Sequence, residues 1–71
     1  MADMEIAKLI TAARERAGLT KAELARRMAV TPVTVCRWEG SPPAQTPDWP
    51  HLRQLAAVLG CSIIELVPEG D

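Results

Sequence analysis

Two helix-start signals set close together constrain this 71-residue chain more than any other feature. The first, Thr20-Lys21-Ala22-Glu23, is a capping box: the Thr20 hydroxyl can accept from the Glu23 amide while the Glu23 carboxylate accepts from the Thr20 amide. The second, Thr31-Pro32, sets a hydroxyl cap before a proline at the first helical position, where a missing amide costs little. One short helix fits between them, carrying Leu24, Ala25 and Met28 inward, and only Ala29 to Thr31 remain to turn the chain. A second short helix then runs from about Pro32 to Glu39, where Gly40 stops it.

Such a pair cannot hide its own apolar faces, so the flanks must supply cover. Residues 4–17, MEIAKLITAARERA, put Ile6, Leu9, Ile10, Ala13 and Ala17 at spacings of three and four, one stripe of a helix that Gly18 can end. SPPAQTP is a proline-stiffened connection after Gly40. Asp48 can cap a fourth helix with Leu52, Leu55, Ala56 and Leu59 inward, Pro50 tolerated in its first turn and Gly60 as its stop. Ser62-Ile63-Ile64-Glu65 is a further capping box opening one final turn, which Pro68 closes. The expectation is an all-α, compact five-helix domain over 1–71, with its core in 4–67 and no strand.

Composition removes several function classes. Phe and Tyr are absent and the aromatics are Trp38 and Trp49, which excludes the stacking platforms of many single-strand binders. Cys36 and Cys61 lack Cys or His neighbours at ligand spacing and are too few for a disulfide scaffold, so no metal is expected. The acidic opening MADME and the lack of a long uncharged run point to a cytoplasmic protein with no membrane span. A lone His, no nucleophile beside a base and no glycine-rich phosphate loop leave no reaction centre, so neither an enzyme nor a cofactor is expected. The formal net charge of −1 is unevenly spread: residues 1–39 hold seven cations against five acids (+2), and residues 40–71 hold one against four (−3). Ordinary solvated charge explains this as well as a basic end turned toward a polyanion does.

The stretch TKAELARRMAVTPVTVCRWEG resembles the helix-turn-helix family of phage repressors and Cro proteins (XRE-like). The likeness runs on through PDWPHLRQLAAVLGCSIIEL and back to Arg14, about residues 6–66. It implies a lambda-repressor-like DNA-binding domain with the helix-turn-helix at helices 2 and 3, the second being the recognition helix. It also implies a phosphate contact at Lys21 and base-edge or backbone contacts from Thr31, Pro32, Val33, Thr34 and Arg37. Arg14 and Glu39 match a structural ion pair. Leu24, Ala25, Val30, Val35, Trp38, Leu55, Leu59 and Leu66 match the family core. Ala29 departs from the pattern, which usually has glycine in the turn; a left-handed alanine there costs about 1 kcal/mol.

Helical geometry agrees about which side chains of 32–39 face out. With Pro32 at zero, Val35 and Trp38 fall at about 300° and about 240°, the buried side. Opposite them lie Cys36 at about 40°, Val33 at about 100° and Arg37 at about 140°, with Pro32 and Thr34 on the flanks. Valine, cysteine and one arginine make an odd solvent face and a sensible groove face: Val33 can pack on a thymine methyl and Arg37 can grip guanine O6 and N7. Arg37 holding only a phosphate is the plainer alternative. Ser41 and Gln45 are candidate phosphate donors, and amides at the start of the second helix, with Lys21, offer an anion site. Arg26 and Arg27 read as the wet face of the second helix, and His51 as an early-helix surface residue. Trp49 either staples the fourth helix to the core or lies at an interface.

The resulting expectation is a sequence-specific regulator of double-stranded DNA, a repressor, acting as a homodimer at least on DNA. Ile63, Ile64, Leu66 and Val67 are the expected dimer surface. The rival is an antitoxin-like or adaptor module that uses the same fold on a protein partner, favoured by the low pI and by Pro32, which deletes an amide from the groove-facing terminus.

Overall fold

Caps and stops divide the chain into its elements in the order the sequence predicts. The structure, a computed structural model, describes residues 2–67. It contains α1 (Ala2–Arg16), α2 (Lys21–Met28), α3 (Pro32–Trp38), α4 (Trp49–Leu59) and a 3₁₀ turn, Ile63–Leu66, with no strand among the described residues. The predicted caps are formed. Thr20 Oγ1 accepts from the Glu23 amide at 3.0 Å and the Glu23 carboxylate accepts from the Thr20 amide at 2.8 Å. Asp48 Oδ1 accepts from the His51 amide at 3.1 Å, opening α4.

One core is built from all five elements. Ile10 and Ala13 come from α1, Leu24, Ala25 and Met28 from α2, Val35 and Trp38 from α3, Leu52, Leu55, Ala56 and Leu59 from α4, and Leu66 from the 3₁₀ turn. Ile10, Leu24, Val35, Leu55 and Leu66 are fully buried, and each such side chain contributes about 1.5–3 kcal/mol over its exposed state. α2 packs on α3 and on α4, while the 3₁₀ turn closes the far side against α1 and α4. α3 is thus supported from behind through Val35 and Trp38.

The last element differs from expectation: the fifth helix is a single 3₁₀ turn. The Glu65 amide bonds the Ser62 carbonyl three residues back at 2.9 Å, and Val67 is already extended at φ −117°, ψ 141°. Val67 precedes Pro68, and a residue before proline is pushed out of the α region, so the turn has no room to lengthen. Pro68, expected to close it, lies outside the described residues.

Leu66 is fully buried, which removes it from the expected dimer surface; Ile64 is exposed there, and Ile63 and Val67 are half-buried against the core. In α1 the inner stripe is Ala7, Ile10 and Ala13, with Ile6 and Leu9 half-buried and Ala17 exposed. Ala17 leaves the stripe because the chain is already turning, with the Gly18 amide on Glu15 O at 3.0 Å and the Leu19 amide on Arg14 O at 3.2 Å.

Candidate nucleic-acid interface

The turn between α2 and α3 is closed by a residue unsuited to it. The Val30 amide bonds Ala25 O at 3.0 Å and the Ala29 amide bonds Arg26 O at 3.2 Å, the paired bonds of a Schellman stop, with Ala29 left-handed at φ 60°, ψ 40°. α4 ends with the same bonds around Gly60 at φ 71°, where no Cβ is present to resist. α3 then starts at Thr31, whose Oγ1 accepts from the Thr34 amide at 3.3 Å and lies 3.0 Å from Thr34 Oγ1.

The side chains of α3 divide as the helical wheel predicts on its buried side and less sharply on the other. Val35 and Trp38 point into the core. Thr31, Pro32 and Val33 are exposed, Val33 at 56% despite its apolar side chain. Thr34, Cys36 and Arg37 are half-buried. The Arg37 guanidinium makes no ion pair or hydrogen bond among the described residues. Its carbonyl instead anchors the following loop: the Gln45 amide bonds Arg37 O at 3.1 Å, and the Ser41 amide bonds Cys36 O at 2.9 Å. Ser41, half-buried, and Gln45, exposed, are therefore tied to the end of α3 through their backbones.

Lys21 is exposed on the first residue of α2. The amide terminus beside it is not bare. Glu23 already serves as its anion, and bonds from the Thr20 amide, foremost, and the Thr20 hydroxyl hold its carboxyl below the ordinary carboxylate range. A phosphate approaching here meets the Lys21 ammonium together with the Glu23 charge.

Arg14 ties the two ends of the helix pair together. Its Nε donates to Glu39 Oε2 at 2.8 Å and its Nη2 to Glu39 Oε1 at 3.2 Å, a two-pronged grip on a carboxylate whose side chain is 2% exposed. Its Nη1 donates to Leu19 O at 2.8 Å, one residue before the cap of α2. Thr11 Oγ1 lies 3.0 Å from both Glu39 Oε1 and Ala7 O, its one proton serving either acceptor. Glu39 sits at the C-cap of α3, where the helix dipole disfavours an anion, so the guanidinium is what makes that carboxylate tolerable.

Sequence reasoning missed Thr11; its position three residues before Arg14, on the same helix face, was the available signal. It also took His51 for a plain surface residue. His51 is half-buried, its ring 5.2 Å from that of Trp38 and tilted by 52°, with Nδ1 2.6 Å from Asp48 Oδ1. Trp49 does not staple α4 to the core: it is 52% exposed.

The ion pairs take up part of the charge. Arg14 is paired with Glu39, Arg16 with Glu65 at 3.2 Å, and Asp48 with His51. Lys8, Lys21, Arg26, Arg27, Arg37 and Arg53 make no ion pair among the described residues. Among the described residues Glu39 is the one acid held in a shielded ion pair, while Lys8, Lys21, Arg26, Arg27 and Arg53 are exposed.

No described helix is long and apolar enough to cross a membrane. Residues 5–68 match the family model described as a helix-turn-helix domain. No curated protein matches the chain. Among solved structures it is similar to the crystal structure of CoII HppE in complex with substrate, at 32% identity and TM-score 0.86 over 100% of this chain. It is similar also to hydroxypropylphosphonic acid epoxidase from S. wedmorenis, at 34% identity and TM-score 0.83 over 94% of this chain. The chain spans only 39% and 35% of those two chains.

Proposed function

The chain belongs to the helix-turn-helix domain family, and on that footing we propose that it is a sequence-specific regulator of double-stranded DNA, of the phage-repressor and Cro type, acting as a repressor. In this reading α3 lies in the major groove. Val33 packs on a thymine methyl, Arg37 grips a guanine edge, and Lys21, Ser41 and Gln45 hold phosphates. The observation that carries it is the combination on α3 of an exposed valine and an unpaired guanidinium, backed by Val35 and Trp38 in the core. Solvent gives no reason for that pairing, whereas a groove uses both groups. Binding is as a homodimer on paired half-sites about one helical turn apart, with Ile64 in the contact between copies.

Selection of bound duplexes from a random pool tests this reading. A recurring half-site containing a thymine and a guanine is expected, with affinity falling steeply as salt rises, at a log–log slope of about −0.9 per phosphate contacted. Absence of any enriched motif, with weak salt dependence, sinks it.

A second reading has one observation in its favour: in the HppE structures the same fold makes up little more than a third of a longer chain described as an epoxidase. In this second reading the present chain is an adaptor that docks on a protein partner. The salt titration separates the two, because a chiefly apolar protein contact responds weakly to ions.

A further inference from the structure

Of the three large apolar side chains exposed among the described residues, Val33 stands on the outer face of α3, while Trp49 opens α4 and Ile64 lies in the 3₁₀ turn. Arg37 follows Val33 by four residues, the spacing that sets two helical side chains on one face about 5–6 Å apart at Cβ. In the DNA-binding reading above, the first meets a thymine methyl and the second a guanine edge. The remaining residues of α3 limit what else about that pyrimidine can be read.

A pyrimidine shows two features in the major groove. At C5 thymine carries a methyl group that cytosine lacks, and at C4 it carries an acceptor oxygen where cytosine has an amino donor. Telling the two apart at C4 needs a side chain of fixed polarity, such as a carboxylate that accepts from the cytosine amino group. α3, PVTVCRW, contains no Asp, Glu, Asn or Gln, and the Glu39 carboxylate at its end is held by Arg14. Without Asn or Gln on α3, the adenine opposite thymine is not gripped either. The hydroxyls of α3 and its cap are Thr34 and Thr31, whose oxygens lie 3.0 Å apart. Together they own two protons and four lone pairs. The Thr34 amide takes one lone pair and the bond between them takes one proton and one lone pair, which leaves one proton and two lone pairs. That remainder donates or accepts equally well and gives no preference between an oxygen and an amino group at C4. The C5 methyl is what Val33 has left to distinguish.

We infer that Val33 reads the C5 methyl and not the base that carries it, so that 5-methylcytosine takes the place of thymine and cytosine methylation of the duplex creates binding positions. This rests on the DNA-binding reading above and adds to it a methyl-marked duplex as a class of ligand.

The test runs the full chain against two random-sequence duplex pools, one amplified with dCTP and one with 5-methyl-dCTP, and sequences the bound duplexes. Both pools are expected to return the same half-site. The position read by Val33 is the one whose thymine preference Val33→Ala loses; there the first pool is expected to require thymine and the second to accept cytosine as well. Affinities are then measured by anisotropy on three duplexes with thymine, cytosine or 5-methylcytosine at that position. The 5-methylcytosine duplex is expected to bind within about twofold of the thymine duplex, and the cytosine duplex about fourfold more weakly per half-site, the size of one methyl group left unburied. Val33→Ala is expected to bind all three alike; Val33 is exposed, so its truncation leaves the core intact, and circular dichroism establishes that the variant is folded. Thymine alone returned from both pools, or a methyl gain equal in wild type and Val33→Ala, overturns the inference while leaving DNA binding intact. No enriched half-site in either pool overturns both.

Discussion

The Glu39 carboxylate, at the end of the recognition helix, is held through both oxygens by Arg14, at 2.8 and 3.2 Å, while the third nitrogen of that guanidinium holds Leu19 O at 2.8 Å. One side chain thus fixes the end of α3 relative to the start of α2, the two places proposed to touch DNA. Removing one partner leaves a charge in a site that excludes water. Arg14→Ala is expected to cost about 3–5 kcal/mol by denaturant unfolding, and Arg14→Met with Glu39→Leu together much less than the two singles summed. Additive losses in that cycle would show the pair to be independent surface charges.

Ala29 holds a left-handed conformation that an L side chain resists by about 1–2 kcal/mol. Ala29→Gly is therefore expected to stabilise the domain by about 1 kcal/mol, less the extra freedom glycine gains in the unfolded chain. In a domain this small that raises Tm by about 4–8 °C, and Ala29→Val is expected to lower it. A lower Tm for the glycine variant would mean that the alanine methyl makes a contact outweighing the strain.

The elements were legible because their signals are local. Thr20, Thr31, Asp48 and Ser62 each reach an amide within three residues, so cap geometry can be written down from spacing alone. Ala29 was legible too, through the glycine it replaces. What spacing could not give were contacts between elements: Thr11 meeting Glu39 from another helix, or His51 turning its ring onto Trp38. Leu66 shows the limit most clearly. The sequence placed it both in the core and on a dimer surface, and only the packing of the 3₁₀ turn against α1 and α4 decides for the core. For the candidate interface, Val33 faces out as the wheel predicts, whereas Cys36 and Arg37 are half-buried, at the end of α3 where the backbone of the following loop bonds back to the helix.

Arg37 and Val33 make separable predictions. If Arg37 reads guanine, Arg37→Ala costs about 1–3 kcal/mol in operator affinity and relaxes one base position. If it holds phosphate, affinity falls alike on all sequences and the salt slope shrinks by about one unit. Val33→Ala should weaken only sites carrying the thymine methyl, which substitution of uracil for that thymine reproduces on the DNA side.

Two caps titrate, and the sign of their effect is fixed by direction. The Thr20 amide and hydroxyl hold Glu23 below its ordinary value of 4.5, and the His51 amide and ring hold Asp48 below 3.8. A carboxyl with a lowered folded-state pKa stabilises the fold at pH values above its unfolded value, and that contribution disappears as pH falls through the folded one. The contribution of these caps to the melting temperature is therefore expected to be full and independent of pH near neutrality and to fall away below about pH 4.5. Glu23→Gln and Asp48→Asn keep an acceptor oxygen but cannot titrate, so each should melt lower than wild type at neutral pH and lose less on acidification. Parallel curves for the variants and wild type would show that neither carboxylate is better held in the folded chain than in the unfolded one, against the bonds from Thr20 and His51.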